Sequence, residues 1–474
     1  MKRIITILLV LAMVLGLCAC GAGGEGGAAG GKKDGLQVGY NRQNVTPGVS
    51  GIQASVPMAG YGNDLDRISN GFIDYIYTTC IAFQEGDQTV LLFTDDIMGK
   101  AASAAQRFCQ AVADATGVPK ENIVMCDTHT HYSPSITSST PESSAYMEQF
   151  QQAAVAAAKA ALEDLAPATL YSAKVNTENM NFVRHYEQND GSITSSNLGN
   201  VVPDDLKGHA READPEMVLF KIEREGEDKK DIMMMNWGCH PCQRGDGKST
   251  NISADYIGTT RTYFEKETGM NFAFFQAASG DVGSDSKVTP QNRSCEEFGQ
   301  ELATYAINAL PNMQKIEGQG IKTYRYSLNY PCNHFQEDML DAATQCVELY
   351  KKSPQAADAL AEELGFYTYT HARGVYNASK NPANADMELN AIYIAGMAFV
   401  TAPWEMFTDT GKFLKENSPF ENTMVLALAN GKTNYVPIKE AYQYGCYESF
   451  SAYYAEGAAE AAADQLITML KSFQ

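Results

Sequence analysis

Short apolar segments alternate with helix-type segments along most of this chain, and this alternation constrains the fold more than any other feature. Residues 89–94 (TVLLFT) and 122–126 (NIVMC) have the length and composition of buried strands, and the Ala-rich stretch 101–116 lies between them. This order is typical of a βαβ unit. Further strands are predicted at 217–223, 232–237, 272–276, 391–401 and 424–429, and further helices at 143–164, 255–268, 295–309, 338–351, 407–416 and 458–472. We therefore predict an α/β fold in which helices are layered on mixed β-sheets.

The first 35 residues have a different character. Lys2 and Arg3 precede an apolar run at 4–17, which is the layout of a secretory signal and is too short for a membrane-spanning helix. The segment Leu17-Cys18-Ala19-Cys20 resembles a bacterial lipobox, in which the cysteine after a small residue is lipidated. We expect a lipoprotein signal peptide at 1–19, lipidation of Cys20 and a Gly-rich tether at 20–35, with an ordinary signal peptide as the alternative. The protein would then be anchored by lipid to the outer face of a bacterial cell membrane.

Net charge narrows the range of partners. Lys and Arg number 36 against 57 Asp and Glu, which gives a net charge of −21. Such a surface repels phosphate backbones and anionic headgroups, so we expect no nucleic-acid partner, and lipid chains rather than charge would hold the protein to a membrane. No linker or repeat interrupts residues 36–474, which we interpret as one domain. The cysteines after Cys20 are widely spaced and odd in number, so we expect small core residues rather than a disulfide framework.

Functional residues of α/β folds gather where strands end, and histidines stand at two such places. His129 and His131 follow the strand at 122–126, and His240 follows the strand at 232–237. We expect one histidine of this H-x-H pair as a ligand and the other as its acid–base partner, unless the backbone turns there. Three of the seven histidines of the chain occupy these two loops. This clustering predicts a metal site, and zinc suits imidazole ligands.

The roles of several other polar residues near strand ends stay open at this point. Cys239 and Cys242 form a C-x-x-C, but a loop rather than a helix follows and no second ligand pair exists, which disfavours both a redox motif and a structural zinc site. Glu405 stands between an apolar strand and a helix, where an acid also stabilises the helix dipole. Tyr447 lies in a Tyr-rich segment that fits a surface loop equally well.

Several ordered motifs resemble those of the neutral (alkaline, non-lysosomal) ceramidases. The string T-H-T-H-Y-S-P at 128–134 is similar to the T-H-T-H-S-G-P of that family, and the other matches are M-A-G-Y-G at 58–62, H-P at 240–241, S-A-D-Y-I-G at 253–258, G-D-V at 280–282, P-x-E at 403–405 and Y-E at 447–448. The resemblance extends from about residue 38 to about residue 457. It implies a single large catalytic domain of ceramidase type at 36–474, without the C-terminal immunoglobulin-like domain of full-length ceramidases. It also implies hydrolysis of an N-acyl amide, with ceramide cleaved to sphingosine and fatty acid as the family reaction.

The resemblance implies a ligand set and a mechanism. One catalytic zinc ion would be held by His129, His240, Glu405 and Tyr447. His131 would lie beside the ligands, Arg184 would face the substrate, and Tyr454 would be a further tyrosine of the pocket. The metal would lower the pKa of a bound water and polarise the amide carbonyl, while His131 and Arg184 would donate hydrogen bonds to the developing oxyanion.

Two departures from the family pattern concern the substrate rather than the metal. Residues 283–285 (GSD) follow G-D-V where the family has S-P-N, and Trp404 replaces a small residue beside Glu405. The alternatives to ceramide hydrolysis are therefore the same zinc site acting on a non-sphingoid amide or ester, and a surface lipoprotein that binds a ligand without turnover.

Overall fold

Two β-sheets that pack face to face form the centre of the fold. The computed structural model describes residues 35–61, 67–136, 140–195, 205–245 and 247–474, and residues 35–474 form one unit. The expected signal peptide, Cys20, the tether up to residue 34 and Gly62 of the M-A-G-Y-G motif lie outside the described residues.

Strands occur along the whole described part of the chain. In chain order they are β1 (Gln37–Asn44), β2 (Gly71–Phe72), β3 (Tyr77–Glu85), β4 (Gln88–Asp95), β5 (Ile123–Asp127), β6 (Ala166–Asn176), β7 (Phe182–Val183), β8 (His185–Gln188), β9 (Ile193–Ser195), β10 (Leu206–His209), β11 (Glu216–Arg224), β12 (Ile232–Trp237), β13 (Asn251–Ile252), β14 (Asn271–Gln276), β15 (Val282–Gly283), β16 (Gln314–Lys315), β17 (Ile321–Pro331), β18 (Asn384–Ile394), β19 (Met397–Thr401), β20 (Glu405–Met406), β21 (Thr423–Leu426) and β22 (Tyr435–Val436).

Helices connect many of these strands. They are α1 (Ala102–Thr116), α2 (Pro141–Glu163), α3 (Tyr256–Thr268), α4 (Cys295–Ala309), α5 (Leu340–Tyr350), α6 (Pro354–Glu363), α7 (Tyr369–Ala378), α8 (Thr408–Asn417), α9 (Tyr447–Phe450) and α10 (Ala458–Lys471). Local sequence sets several of their ends. Ser294 and Glu297 form a capping box at the start of α4, and Gly117 takes a left-handed conformation just after α1, with its N–H donated to Ala113.

The larger sheet has the strand order β14-β12-β11-β6-β1-β3-β4-β5, with β16 paired to β6, and the smaller sheet has the order β17-β18-β19-β21. Three neighbouring pairs are parallel, namely β4 with β5, β12 with β14, and β19 with β21. The larger sheet curls until its two edges meet. The Thr94 hydroxyl of β4 donates to the Phe274 carbonyl of β14, and Gln276 at the end of β14 reaches the loop after β5. Loops that are distant in sequence therefore lie together at one end of the sheet.

The alternation of side chains along each strand fills two different cores. One face of the larger sheet packs against the smaller sheet, as Val90 and Leu92 of β4 and Phe399 of β19 illustrate. The other face is covered by α1 and α2 at one end and by α3 and α4 at the other. Helices α8 and α10 cover the outer face of the smaller sheet. The result is a mixed α/β fold of four layers, as the alternation of segments predicts.

One predicted strand is wrong. Residues 391–401 form parts of two antiparallel strands, because Ala395 and Gly396 take positive φ angles of 45° and 98° and turn the chain between β18 and β19. An Ala-Gly pair is not among the dipeptides that mark such a turn, so the sequence gives little warning of it.

Cysteine placement agrees with the expected core role. The nine cysteines at positions 80, 109, 126, 239, 242, 295, 332, 346 and 446 are free thiols, and all but Cys242 are buried. Within the described ranges, none of the helices combines the length and apolar character needed to cross a bilayer.

Candidate metal centre

Three histidines and a glutamate meet at the carboxyl ends of β5, β12 and β19. Glu405 Oε2 lies 3.2 Å from His129 Nε2 and 3.3 Å from His240 Nε2, and His131 Nε2 lies 3.3 Å from His129 Nε2. The ligand-type nitrogens of the three histidines fall within 4.8 Å of one another. His129, His240 and Glu405 are buried, and His131 is partly buried. The structure thus brings together three of the four residues expected as ligands, together with His131.

A backbone turn at His129 lets both histidines of the T-H-T-H segment face the same point. His129 has a φ of 70°, in the left-handed region that a non-glycine residue rarely adopts. The rings of His129 and His131 consequently lie 4.9 Å apart and nearly perpendicular to each other. Since the Nε2 atoms of the two rings are 3.3 Å apart, His131 is also within reach of a metal bound by His129. Strain of this kind is concentrated at functional sites.

Hydrogen bonds fix the tautomers of the two buried histidines. Nδ1 of His129 donates to the Met98 carbonyl at 2.7 Å, and Nδ1 of His240 donates to the Ser279 carbonyl at 2.7 Å. Each Nε2 therefore presents a lone pair to Glu405. Two imidazole lone pairs and a carboxylate oxygen face one another, and neither His240 Nε2 nor Glu405 Oε2 has a hydrogen-bond partner among the described residues. A bound cation would satisfy all three acceptors, so these side chains fit a metal ion.

The protonation states suit metal binding. Burial lowers the pKa of His240 to about 4 and that of His131 well below its usual range, so both rings are neutral near pH 7. Burial opposes the charge of Glu405, and the Lys432 ammonium, 3.8 Å from Oε1, favours the ionised carboxylate.

A cavity of about 270 Å³ opens beside these side chains. Glu405 and Tyr447 both line it, so the expected tyrosine ligand lies on the same cavity as the expected glutamate ligand. The remaining lining residues are Thr370, Arg373, Gly374, Asn377, Ala378, Asn381, Lys432, Asn434, Tyr435, Phe450, Ser451, Ala452 and Tyr453. Tyr454 is not among them. Its hydroxyl donates to the Asp386 carbonyl at 2.9 Å, and its ring packs in the core beneath α10. Trp404 packs in that same core, so its bulk does not reduce the cavity.

Arg184 belongs to a buried ionic network behind the cavity. Its Nε donates to Glu448 Oε1 at 2.7 Å, and its Nη2 donates to the Gly280 carbonyl and to the Tyr435 hydroxyl. The other oxygen of Glu448 accepts from His185 Nε2 at 2.7 Å. Although burial raises the pKa of Glu448, Arg184 and His185 hold it at about 2. The network therefore fixes Arg184 close to the Tyr435–Tyr447 aromatic pair, whose ring centroids are 5.5 Å apart.

Two supporting residues were not expected from the sequence. The side-chain amide of Gln276 donates to the carbonyls of Thr128 at 3.1 Å and Cys239 at 2.9 Å, and so ties together the loops that carry His129 and His240. Lys100 is completely buried and pairs with Asp95 and with Asp127, which ends β5 just before the histidines. The one signal in the sequence is positional: Asp95 and Asp127 directly follow the strands predicted at 89–94 and 122–126, and Gln276 ends the strand predicted at 272–276.

The C-x-x-C pair has the properties of core thiols. Burial raises the pKa of Cys242 to about 12 and that of Cys239 well above its usual range. Both remain protonated near neutral pH, which agrees with the prediction against a redox motif.

This chain is similar to known proteins both in sequence and in structure. The family model described as neutral/alkaline non-lysosomal ceramidase, N-terminal, matches residues 36–387. The crystal structure of neutral ceramidase from Pseudomonas aeruginosa superposes with a TM-score of 0.68 at 15% identity, over 93% of this chain and 75% of that chain. A ceramidase complexed with C2 gives a TM-score of 0.68 at 14% identity, with the same coverage. No match was found among curated protein sequences.

Proposed function

This chain belongs to the neutral/alkaline non-lysosomal ceramidase family, and on that premise we propose that it is a zinc-dependent hydrolase of N-acyl amides. The observation that carries the proposal is the convergence of two imidazole lone pairs and one carboxylate oxygen in a buried pocket beside a cavity. Ceramide is the substrate that the family name suggests. A non-sphingoid amide or ester is the alternative substrate, and ligand binding without turnover is the alternative function.

Zinc suits this donor set because it accepts nitrogen and oxygen ligands and can expand from four to five ligands, which leaves a position for water. His129, His240 and Glu405 would hold the ion, and Tyr447 is proposed as the fourth protein ligand. When bound, zinc supplies a Lewis acid and a water of lowered pKa.

The side chains around the site have separate tasks in this proposal. His131 is neutral and has a buried Nδ1 without a hydrogen-bond partner among the described residues, so we assign it the hydrogen bond to the reacting carbonyl or to the departing amine. Arg184, held by Glu448, supplies a fixed positive charge behind the cavity. Tyr435, which pairs with Glu405 between β20 and β22, and Tyr447 line the cavity, and we assign them the task of limiting access of water to the site.

The location of the enzyme is a separate proposal. A lipid anchor at Cys20 would keep the protein at the outer face of the membrane from which lipid amides diffuse. Cells fed an alkyne fatty acid should yield labelled wild-type protein, whereas the Cys20→Ala variant should be unlabelled and released into the medium. Unchanged labelling of the variant would refute this anchor.

The decisive experiment for the reaction combines metal analysis with turnover. We expect the purified protein to bind about one zinc ion and to hydrolyse a fluorescent short-chain ceramide or a simple N-acyl amide. Glu405→Gln should lose both properties, whereas Glu421→Gln, at an exposed position, should keep them. Zinc retained at full occupancy by both Glu405→Gln and His240→Ala would refute the assignment of these residues as zinc ligands. Zinc binding without turnover of any amide or ester would favour the binding protein instead.

A further inference from the structure

One wall of the cavity is a polar stripe on helix α7. Thr370, Arg373, Asn377 and Asn381 follow one another at spacings of three or four residues, so they share one face of the helix and its C-terminal extension. The opposite face carries Ala372 and Val375 into a separate apolar core. This polar face lines the cavity beside the candidate metal centre, where Thr370, Arg373 and Asn381 are partly buried and Asn377 is exposed.

The position of α7 follows from the long hairpin β17–β18. These strands pair without interruption from Ile321 opposite Ile394 to Pro331 opposite Asn384. The chain between Pro331 and Asn384 therefore leaves the sheet at the tip of the hairpin, forms α5, α6 and α7, and returns to the same point. Only the third of these helices contributes residues to the described lining of the cavity.

Positive charge on this wall lacks a matching negative charge. Among the described residues, Arg373 has no ion pair and no hydrogen-bond partner. Its guanidinium carbon lies over the Tyr369 ring, 5.9 Å from the ring centroid. Lys432 also lines the cavity, with its ammonium 3.8 Å from Glu405 Oε1. Glu405 is the one acidic residue among the described lining residues, and a metal ion would compensate its charge. Two cations thus share a cavity in a chain whose net charge is −21.

The other polar groups of the lining can all donate hydrogen bonds. Asn377 and Asn434 offer amide N–H groups, and Thr370 and Ser451 offer hydroxyls. A guanidinium and an ammonium surrounded by neutral donors are the groups that bind a carboxylate or a phosphate. A neutral hydroxyl headgroup or an alkyl chain would leave Arg373 partly desolvated without a partner, which is unfavourable.

We propose that the physiological substrate is an N-acyl amide whose amine half carries an anionic group, such as an acylated amino acid, and that Arg373 and Lys432 bind this anion. This inference rests on the proposed function, because it identifies the amine half of the amide that the metal centre would cleave. The cavity of about 270 Å³ accommodates a small charged amine half, and the acyl chain extends away from it.

The test compares two substrates that differ only at the proposed contact. N-Dodecanoylglycine and N-dodecanoylethanolamine have the same chain and the same amide, but one ends in a carboxylate and the other in a hydroxymethyl group. We expect kcat/KM to favour the glycine conjugate by about 30-fold or more, as the loss of a charge-assisted contact predicts. Arg373→Gln and Lys432→Gln should each reduce this ratio about 10-fold. Arg373→Lys, which keeps the charge without the planar fork, should retain part of the preference. Lys380→Gln, just beyond the end of α7 and outside the cavity lining, should leave the ratio unchanged.

Direct binding separates this inference from the proposed reaction. Calorimetry with the metal-loaded protein and the sulfonamide analogues of the two substrates, which are not cleaved, should show tighter binding of the glycine analogue, and Arg373→Gln should reduce the difference about 10-fold. Hydrolysis of both amides with equal kcat/KM and equal affinity would overturn the anion site and leave the hydrolase standing. Selective, Arg373-dependent binding without hydrolysis of either amide would support the anion site and refute the proposed reaction. Absence of both binding and hydrolysis would overturn both proposals.

Discussion

Replacing Gly280 by Ala should destroy the metal centre without adding a polar or charged group. Gly280 follows β14, and its N–H donates to the Met406 carbonyl at 2.7 Å. A Cβ atom at this position would lie 2.7 Å from the carbonyl oxygen and 2.9 Å from the carbonyl carbon of Glu405. Because relaxed contacts between such atoms are about 3.5 Å, the two backbones must separate by about 0.5 Å or more. Rigid backbone on both sides prevents a side-chain rotation from relieving this clash.

The shift would move Glu405 relative to the two histidines. Metal–ligand distances tolerate changes of only about 0.2 Å, and disturbance of the groups that support a ligand typically costs 10- to 100-fold in metal affinity. We therefore expect Gly280→Ala to lower zinc affinity at least about 10-fold, measured by competition with a chromophoric chelator. Gly283→Ala is the matched control, since a Cβ there meets no atom within 4 Å and the residue has no positive φ. This control should bind zinc as the wild type does.

The outcome that refutes this reasoning is specific. If Gly280→Ala retains wild-type zinc affinity and a native fluorescence spectrum from the buried Trp237 and Trp404, then Glu405 does not hold the metal. If Gly283→Ala loses zinc to the same degree, the effect belongs to the whole loop and not to the contact with Glu405.

Three further predictions concern stability, measured by urea unfolding with a chelator present. Glu448→Gln should lower the free energy of unfolding by about 3 kcal/mol at pH 7, because the pKa of Glu448 is about 2 rather than 4.5. A loss under about 1 kcal/mol would contradict the ionic network of Arg184, His185 and Glu448. Burial lowers the pKa of His371 to about 4. The neutral His371 therefore contributes about 2 kcal/mol to the free energy of unfolding, a value reduced for partial exposure, and this contribution is complete above pH 6.5 and is lost as the pH falls towards 4. In His371→Gln the free energy of unfolding should change less with pH in that window. Lys100→Met leaves Asp95 and Asp127 buried without a cation and should cost about 3 kcal/mol or more, whereas the exposed Lys380→Met should change stability by less than about 0.5 kcal/mol.

The order of the elements could be predicted from the sequence because it depends on neighbouring residues. Apolar runs and Ala-rich periods identify β4, α1 and β5 closely, and the histidines were recognised because each follows a recognisable strand directly. The turn at Ala395 was missed because only the pairing of β18 with β19 reveals it. The closeness of the loops also depends on long-range structure. It requires the edge strands β5 and β14 to meet, and sheet curl has no local signal in the sequence.

Long-range ionic contacts are the second class of feature that sequence patterns do not contain. Arg184 and Glu448 are 264 positions apart, and each was named only through its place in a motif. Nothing in the residues around either one indicates that they pair with each other and with His185. The pairing follows from burial, because a buried guanidinium requires a carboxylate within hydrogen-bond distance.

The candidate metal ligands and the residues of the cavity wall stand in different structural surroundings, and this difference bears on which substrate the chain accepts. The expected ligands His129, His240 and Glu405 stand in short loops after buried strands, where the surrounding core fixes their positions. Arg373 stands on a helix between two strands that pair fully without it, so the sheets do not require any particular residue there. Substitutions in this inserted helical segment can change the charge of the cavity while the loops that carry the expected ligands stay in place. The specificity of this chain should therefore be sought on α7, and similarity in the ligand motifs alone does not establish ceramide as its substrate.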